Sequence, residues 1–286
     1  MATSRGRVAI VTDSTASLPA EVAARRGILV VPLRVVVGAR ALEEGSAATH
    51  HAVARALAAF EPVSTSRPAP AAFSTAYAAA LDAGAKSIVS IHLSSHMSGT
   101  YESALAAARG IDAPVEVVDS AQIGLATGFA VLAAADATDA GADAGAAADA
   151  ACARADACAS YFYVDTLEYL RRGGRLGAAV ALLGSALAVK PLLTVLGGRV
   201  EPLEKVRTTG RALARIEELA VEAAGSGEVD VGVQHLAAGP RAAELAARLR
   251  QRLPRARLVW ELEVGAVVGA HVGPGAVAVV VAPHDG

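Results

Sequence analysis

The strongest constraint on the fold is an alternation, through the first half of the chain, of short β-rich runs with helical runs. Strands are expected over Val8 to Thr12, Ile28 to Val37, Ser87 to Leu93 and Val115 to Asp119. Between them, helical patterns cover Pro19 to Arg26, Thr49 to Phe60, Pro70 to Ala83, Gly99 to Arg109 and Ile123 to Ala140. Such alternation makes a parallel sheet covered by helices.

From Gly141 to Ala159 the chain is nearly all Ala, Gly and Asp, which reads as a low-complexity helix bridging two domains. The expected division is 1–157 and 158–286. In the second part, strand Ser160 to Val164 and helix Thr166 to Arg172 precede a hairpin, Leu192 to Leu196 with Arg199 to Val206, turning at Gly197-Gly198. Helix Gly210 to Ala224, strand Val229 to His235, helix Arg241 to Leu253 and strands Arg257 to Glu263 and Ala276 to Ala282 complete a smaller mixed α/β domain. The expected class is therefore two-domain α/β, with a parallel-sheet N-terminal domain.

A chain of 286 residues is long enough to bury the cores of two such domains. With a net charge of −2 and scattered basic residues, it presents no electrostatic footprint for nucleic acid. Only three of the 26 basic residues are lysines, Lys86, Lys190 and Lys205, which reflects a GC-rich coding bias rather than a function. The apolar run Val8 to Val11 is cut by Asp13 before an export signal is complete. A second run, Ala178 to Val189, is too short to span a bilayer, so a cytoplasmic location is expected. Cys152 and Cys158, six apart on a helix, match no metal-ligand spacing and read as free thiols.

Ligands of open parallel sheets bind beyond the carboxyl ends of the strands. Those ends are rich in hydroxyls here: Asp13-Ser14-Thr15, Thr65-Ser66-Arg67-Pro68-Ala69-Pro70, Ser94-Ser95-His96-Met97-Ser98-Gly99-Thr100 and Asp119-Ser120, each before a helical run. Two readings stand. Taken singly, these hydroxyls are helix N-caps. Taken together, they surround helix N-termini with neutral donors and form a site for an anion such as a carboxylate. Neither a phosphate-binding loop nor a dinucleotide fingerprint is present, so no nucleotide cofactor is expected.

In Thr166 to Gly177 a helix ends at Gly173-Gly174 and is followed by Arg175, which either bonds the last helical carbonyls or faces the anion site as a cation. Of seven histidines, His50, His51, His235 and His284 read as surface or packing residues. His92 or His96 with Ser98 and Asp13 or Asp119 would make a Ser-His-Asp arrangement, although no G-x-S-x-G elbow accompanies it. His271 stands between glycines in Gly269 to Gly275, a loop of unusually free backbone.

Eight segments in order resemble the DegV family of lipid-binding proteins. They are Val11-Thr12-Asp13-Ser14-Thr15-Ala16, Thr65-Ser66 with Pro68 and Pro70, Leu93-Ser94-Ser95 with Ser98-Gly99-Thr100-Tyr101, and Asp119-Ser120. The others are Thr166-Leu167-Glu168-Tyr169-Leu170 with Gly173-Gly174-Arg175, Lys190-Pro191, Lys205 with Arg207-Thr208, and His271 with Gly273-Pro274-Gly275. Each is weak alone; their order and spacing carry the resemblance.

That resemblance implies a two-domain protein enclosing a long-chain fatty acid between its domains and delivering it to a dihydroxyacetone kinase-like fatty acid kinase, which makes acyl phosphate for phospholipid synthesis. It also implies site roles. Thr65, Ser66, Ser98, Gly99, Thr100, Arg175 and His271 would bind the carboxylate, and Arg207 would meet the kinase. No residue would be catalytic, and neither metal nor cofactor is implied. Arg67 and Ala69 replace the family's usual Gln and Ser, and Ala41-Leu42-Glu43-Glu44-Gly45 replaces a Tyr-x-Asp-Gly pattern, departures that bear on ligand preference. Burying roughly fourteen methylenes at about 0.8 kcal/mol each gives about 11 kcal/mol gross, enough to drive binding. The alternatives are an acyl-ester serine hydrolase or transferase using the same hydroxyls, and a lipid-responsive regulatory module.

Overall fold

The computed structural model describes residues 7–59, 61–182 and 190–284. Residues 183–189, most of the apolar run Ala178 to Val189, lie outside the described residues. In chain order the elements are β1 (Val8–Asp13), α1 (Ala20–Arg25), β2 (Leu29–Val31), β3 (Arg34–Val37), β4 (Arg40–Glu43), α2 (Ala47–Ala58), β5 (Val63–Ser66) and α3 (Pro70–Asp82). Next come β6 (Ser87–His92), α4 (Thr100–Ala108), β7 (Val115–Asp119), α5 (Leu125–Asp139), α6 (Ala144–Ala157), β8 (Ala159–Tyr163) and α7 (Glu168–Arg172). The remainder are β9 (Lys190–Leu196), β10 (Arg199–Val206), α8 (Thr209–Ala224), β11 (Val229–His235), α9 (Gly239–Arg252), β12 (Ala256–Glu263), α10 (Ala266–Val272) and β13 (Val277–Pro283).

The chain forms two compact units. The first comprises the described part of Met1–Arg34 with Ser66–Asp156; the second comprises Val35–Thr65 with the described part of Ala157–Gly286. The simple division into 1–157 and 158–286, however, does not include the excursion Val35–Thr65, which packs within the second unit and makes it the larger by residue count.

In the first unit, four strands in the order β2-β1-β6-β7 are all parallel. Alternate residues of a strand face opposite sides. Accordingly Ile10, Val89 and Ile91 pack with the alanines of α5 and α6, while Val11 and Ile88 pack with Phe73, Tyr77 and Ala104 of α3 and α4. Alanine along α6 is what lets that helix seat closely: Ala147 and Ala151 are fully buried.

A six-stranded mixed sheet, β10-β9-β8-β13-β11-β12, forms most of the second unit, and β4-β3-β5 form a separate three-stranded sheet. On α8 the buried residues Ala212, Leu213, Ile216 and Ala220 follow helical periodicity, and they meet Val231, Val279 and Val281 in the core. The hairpin turns at Gly197 and Gly198, whose φ values of 54° and 75° suit a two-residue turn.

Three local expectations differ. The strand expected from Ile28 to Val37 is two strands, because Pro32 lacks the N–H needed to continue a ladder. Thr65 and Ser66, expected to begin a loop, instead end β5. The stretch around His271, expected as a glycine-rich loop, ends helix α10 instead. Glu44 explains that helix: its carboxylate accepts from Val267 N at 2.7 Å, capping α10 from 223 positions away in sequence.

Candidate functional site

In the second unit, Thr65 lies near the end of β5 and His271 in the last turn of α10, and the two meet: Thr65 Oγ1 and His271 Nε2 are 2.8 Å apart. His271 Nδ1 is buried with no hydrogen-bond partner among the described residues. Burial first, and the nearby Arg175 cation second, push the imidazole down to a pKa of about 4, so the ring is neutral at pH 7. A neutral ring carries one proton. If it sits on Nε2, the ring donates to Thr65 Oγ1 and leaves the threonine hydroxyl proton free to donate outward.

Gly173 makes this arrangement possible. Its φ of −72° is ordinary, so no backbone constraint demands glycine. The demand is for space: a Cβ here would overlap His271 Nδ1 and stand 2.8 Å from Cε1. Arg175 Nη1 donates to Gly173 O at 2.5 Å, so the capping role considered for this arginine is present. Its charge still reaches His271.

In the first unit, Ser98 Oγ and Thr100 Oγ1 lie 2.8 Å apart at the start of α4, whose N-cap, Gly99, supplies no side-chain cap. Most other hydroxyls at this sheet end are committed to backbone or to each other. Thr12 donates to Ile91 O, Ser14 Oγ accepts from Leu33 N, Ser94 Oγ from His96 N, and Ser120 pairs with Thr127. They are turn fasteners rather than N-caps, since α3, α4 and α5 all lack side-chain caps. Ser66 is exposed.

The Ser-His-Asp arrangement takes another form. His92 Nδ1 lies 3.0 Å from Asp13 Oδ2 and its Nε2 lies 2.7 Å from Ser90, which also accepts from Tyr77 OH at 2.9 Å. Asp13, Ser90, His92 and Tyr77 are all fully buried. With both ring nitrogens occupied, His92 has nothing left for Ser98, and no substrate reaches Ser90. Burial pushes the Tyr77 hydroxyl up to about 12. The pairing of His92 with Asp13 is among the sequence expectations, whereas Ser90 and Tyr77, which complete the network, are not. Among the described residues no cluster of three or more His, Cys, Asp or Glu side chains could hold a metal ion. No helix among them is long and apolar enough to cross a membrane.

The sequence model of the family described as "Uncharacterised protein, DegV family" matches residues 7–284. The chain belongs to the DegV family. It is 55% identical over 274 residues to a DegV domain-containing protein of Streptomyces coelicolor, covering 96% of this chain and 98% of the relative. It is 34% identical over 275 residues to Protein DegV of Bacillus subtilis, covering 95% and 98%. A solved fatty acid-binding DegV family protein from Thermus thermophilus superposes with a TM-score of 0.92 at 30% identity, covering 97% of this chain and all (100%) of that one. The structure of DegV from Bacillus subtilis, a fatty acid-binding protein, gives 0.89 at 32% identity, covering 98% and 100%.

Against the DegV pattern, both departures acquire a structural account. Glu44 caps α10, the helix whose last turn carries His271. Arg67 packs on Gly99. Arg207 is exposed, one residue beyond Val206, which pairs with Lys190 across the hairpin.

Proposed function

We propose that this protein binds one long-chain fatty acid and presents its carboxyl group to a dihydroxyacetone kinase-like fatty acid kinase, which forms acyl phosphate for phospholipid synthesis. The proposed carboxylate-binding residues are Thr65, Ser66, Ser98, Gly99, Thr100, Arg175 and His271, and Arg207 is the proposed kinase-docking residue.

The observation that carries this reading is the Thr65–His271 pair. A carboxylate removed from water must be compensated by hydrogen bonds or charge. If the neutral imidazole donates from Nε2, the Thr65 hydroxyl is left to donate outward, and the charge of Arg175 reaches the same ring. Fatty acid binding by the Thermus and Bacillus relatives supports the same ligand class. The role is that of a carrier: Ser98 Oγ pairs with Thr100 Oγ1, and His92 has both nitrogens occupied by Asp13 and Ser90 rather than by Ser98.

Mass spectrometry of lipid released from natively purified protein tests the ligand, with one fatty acid per chain expected. Repeated extraction of none, together with failure to bind added palmitate or oleate, rejects it. For the partner, Arg207→Ala should keep its lipid yet lose kinase association in a salt-dependent way. Undiminished association and transfer would remove Arg207 from the docking surface.

A further inference from the structure

Helix α10 is held at both ends by one segment, the Val35–Thr65 excursion. At its start the N-cap is Gly265, which has no side chain to offer, and Val267 N donates instead to Glu44 Oε1 at 2.7 Å. Gly265 has an ordinary φ of −62°; its glycine leaves room for that carboxylate, since a Cβ would overlap Glu44 Oε1 and stand 2.9 Å from its Cδ. At the other end, His271 Nε2 meets Thr65 Oγ1 at 2.8 Å. Between these two contacts the excursion lays α2 against α10. Glu44 is itself anchored: Thr49 Oγ1 donates to Glu43 O at 2.8 Å, and Ser46 Oγ accepts from Thr49 N at 3.1 Å, which ties the turn after β4 to the first turn of α2. A helix of seven residues has few internal hydrogen bonds, so contacts at its ends decide where its last turn sits.

We propose that Glu44 is a positioning residue of the ligand site: acting through α10, it sets the His271 ring against Thr65 and so sets the affinity for a fatty acid carboxylate. The inference rests on the fatty acid reading above and deepens it. The link is mechanical. Without the Glu44 contact the first turn of α10 is released, and a helix displacement of about 1 Å stretches the 2.8 Å Thr65–His271 contact beyond hydrogen-bonding range. Two consequences follow for the site: the ring no longer directs the Thr65 hydroxyl, and water reaches an imidazole that is now buried.

The test follows Glu44→Ala and Glu44→Gln by palmitate titration and, in the ligand-free protein, by NMR titration of the His271 ring. Glu44→Ala should weaken palmitate binding by about fivefold or more. It should also raise the ring pKa from about 4 towards the 6.5 of a free imidazole, as hydration replaces burial. Arg175, the charged group near the ring, is common to all the variants. Glu44→Gln keeps a side-chain oxygen that can accept from Val267 N, and should stay within about twofold of wild type in affinity. A role confined to stability would lower the unfolding midpoint without moving either readout in the folded protein. Wild-type palmitate affinity or an unmoved ring pKa in folded Glu44→Ala would overturn the proposal. So would equal losses in Glu44→Gln, which would assign the effect to charge rather than to the hydrogen bond. If Glu44→Ala does not fold, Glu44→Asp, whose shorter side chain withdraws the acceptor, takes its place with the same expectations. A wild type that binds no palmitate would overturn the fatty acid reading, while the ring titration would still decide whether Glu44 positions His271.

Discussion

His92 and His271 are two histidines in polar surroundings, one in each compact unit, and their hydrogen bonding separates them. His92 has Asp13 on one nitrogen and Ser90 on the other, inside a fully buried network that also ties down Leu93 N and Thr15. His271 has Thr65 on one nitrogen, nothing on the other among the described residues, and a cation nearby. A satisfied network fixes structure; a partly satisfied one retains capacity for a ligand. The histidine most reminiscent of a catalytic triad is thus the structural one.

The largest effect should come from breaking the satisfied network. Asp13→Ala strands Leu93 N, Thr15 N and the His92 ring in a buried site and should cost about 3–5 kcal/mol of stability by denaturant unfolding. A loss below about 1 kcal/mol would dissolve the contrast, since surface substitutions cost less than that.

His271 should reveal itself through pH. Its folded pKa of about 4 lies below the 6.5 of a free imidazole, so the unfolded chain takes up the proton first. The contribution is complete above pH 6.5 and is lost as pH falls towards 4, by about 3 kcal/mol. The stability difference between wild type and His271→Gln, followed by urea unfolding from pH 7 to pH 4, should change by that amount. A difference independent of pH would show that the ring is not desolvated.

Ligand affinity should follow the hydroxyls left for a ligand. Thr65→Ala and Ser98→Ala should each weaken fatty acid binding by roughly 1.5–3 kcal/mol, because the acceptor is charged. Unchanged affinity in both variants would remove these hydroxyls from the site.

The two close-approach glycines make the finest comparison. Gly173→Ala forces a methyl group into the His271 ring and should cost about 1–3 kcal/mol of stability. Gly99→Ala displaces only an exposed arginine side chain and should stay within about 0.5 kcal/mol. Equal costs at both positions would mean that Arg67 is as firmly seated as His271.

The candidate residues were legible as residue types: Thr65, Ser98, Arg175 and His271 all stood out, because hydroxyls and glycines clustered between strands and helices. Their partners were not. Thr65 meets His271 across 206 positions, and no local pattern specifies that pairing. Glycine misled in one place: the run around His271 has low helix propensity, yet α10 forms because Glu44 caps it and its buried face packs. At Gly99 and Gly173 the residue signals space rather than a turn, which a sequence does not distinguish.

By itself the sequence determined the alternation of strands and helices, the parallel sheet of the first unit, the Gly197-Gly198 hairpin and the membership of the DegV family, since periodicity, turn chemistry and ordered motifs are local properties of a chain. Only the tertiary structure decided that Val35–Thr65 joins the second unit, that Asp13 and His92 close a buried network, that His271 is neutral and that Arg67 lies against Gly99. Burial and hydrogen-bond satisfaction depend on what the fold brings alongside a residue, and that is set by packing between distant segments.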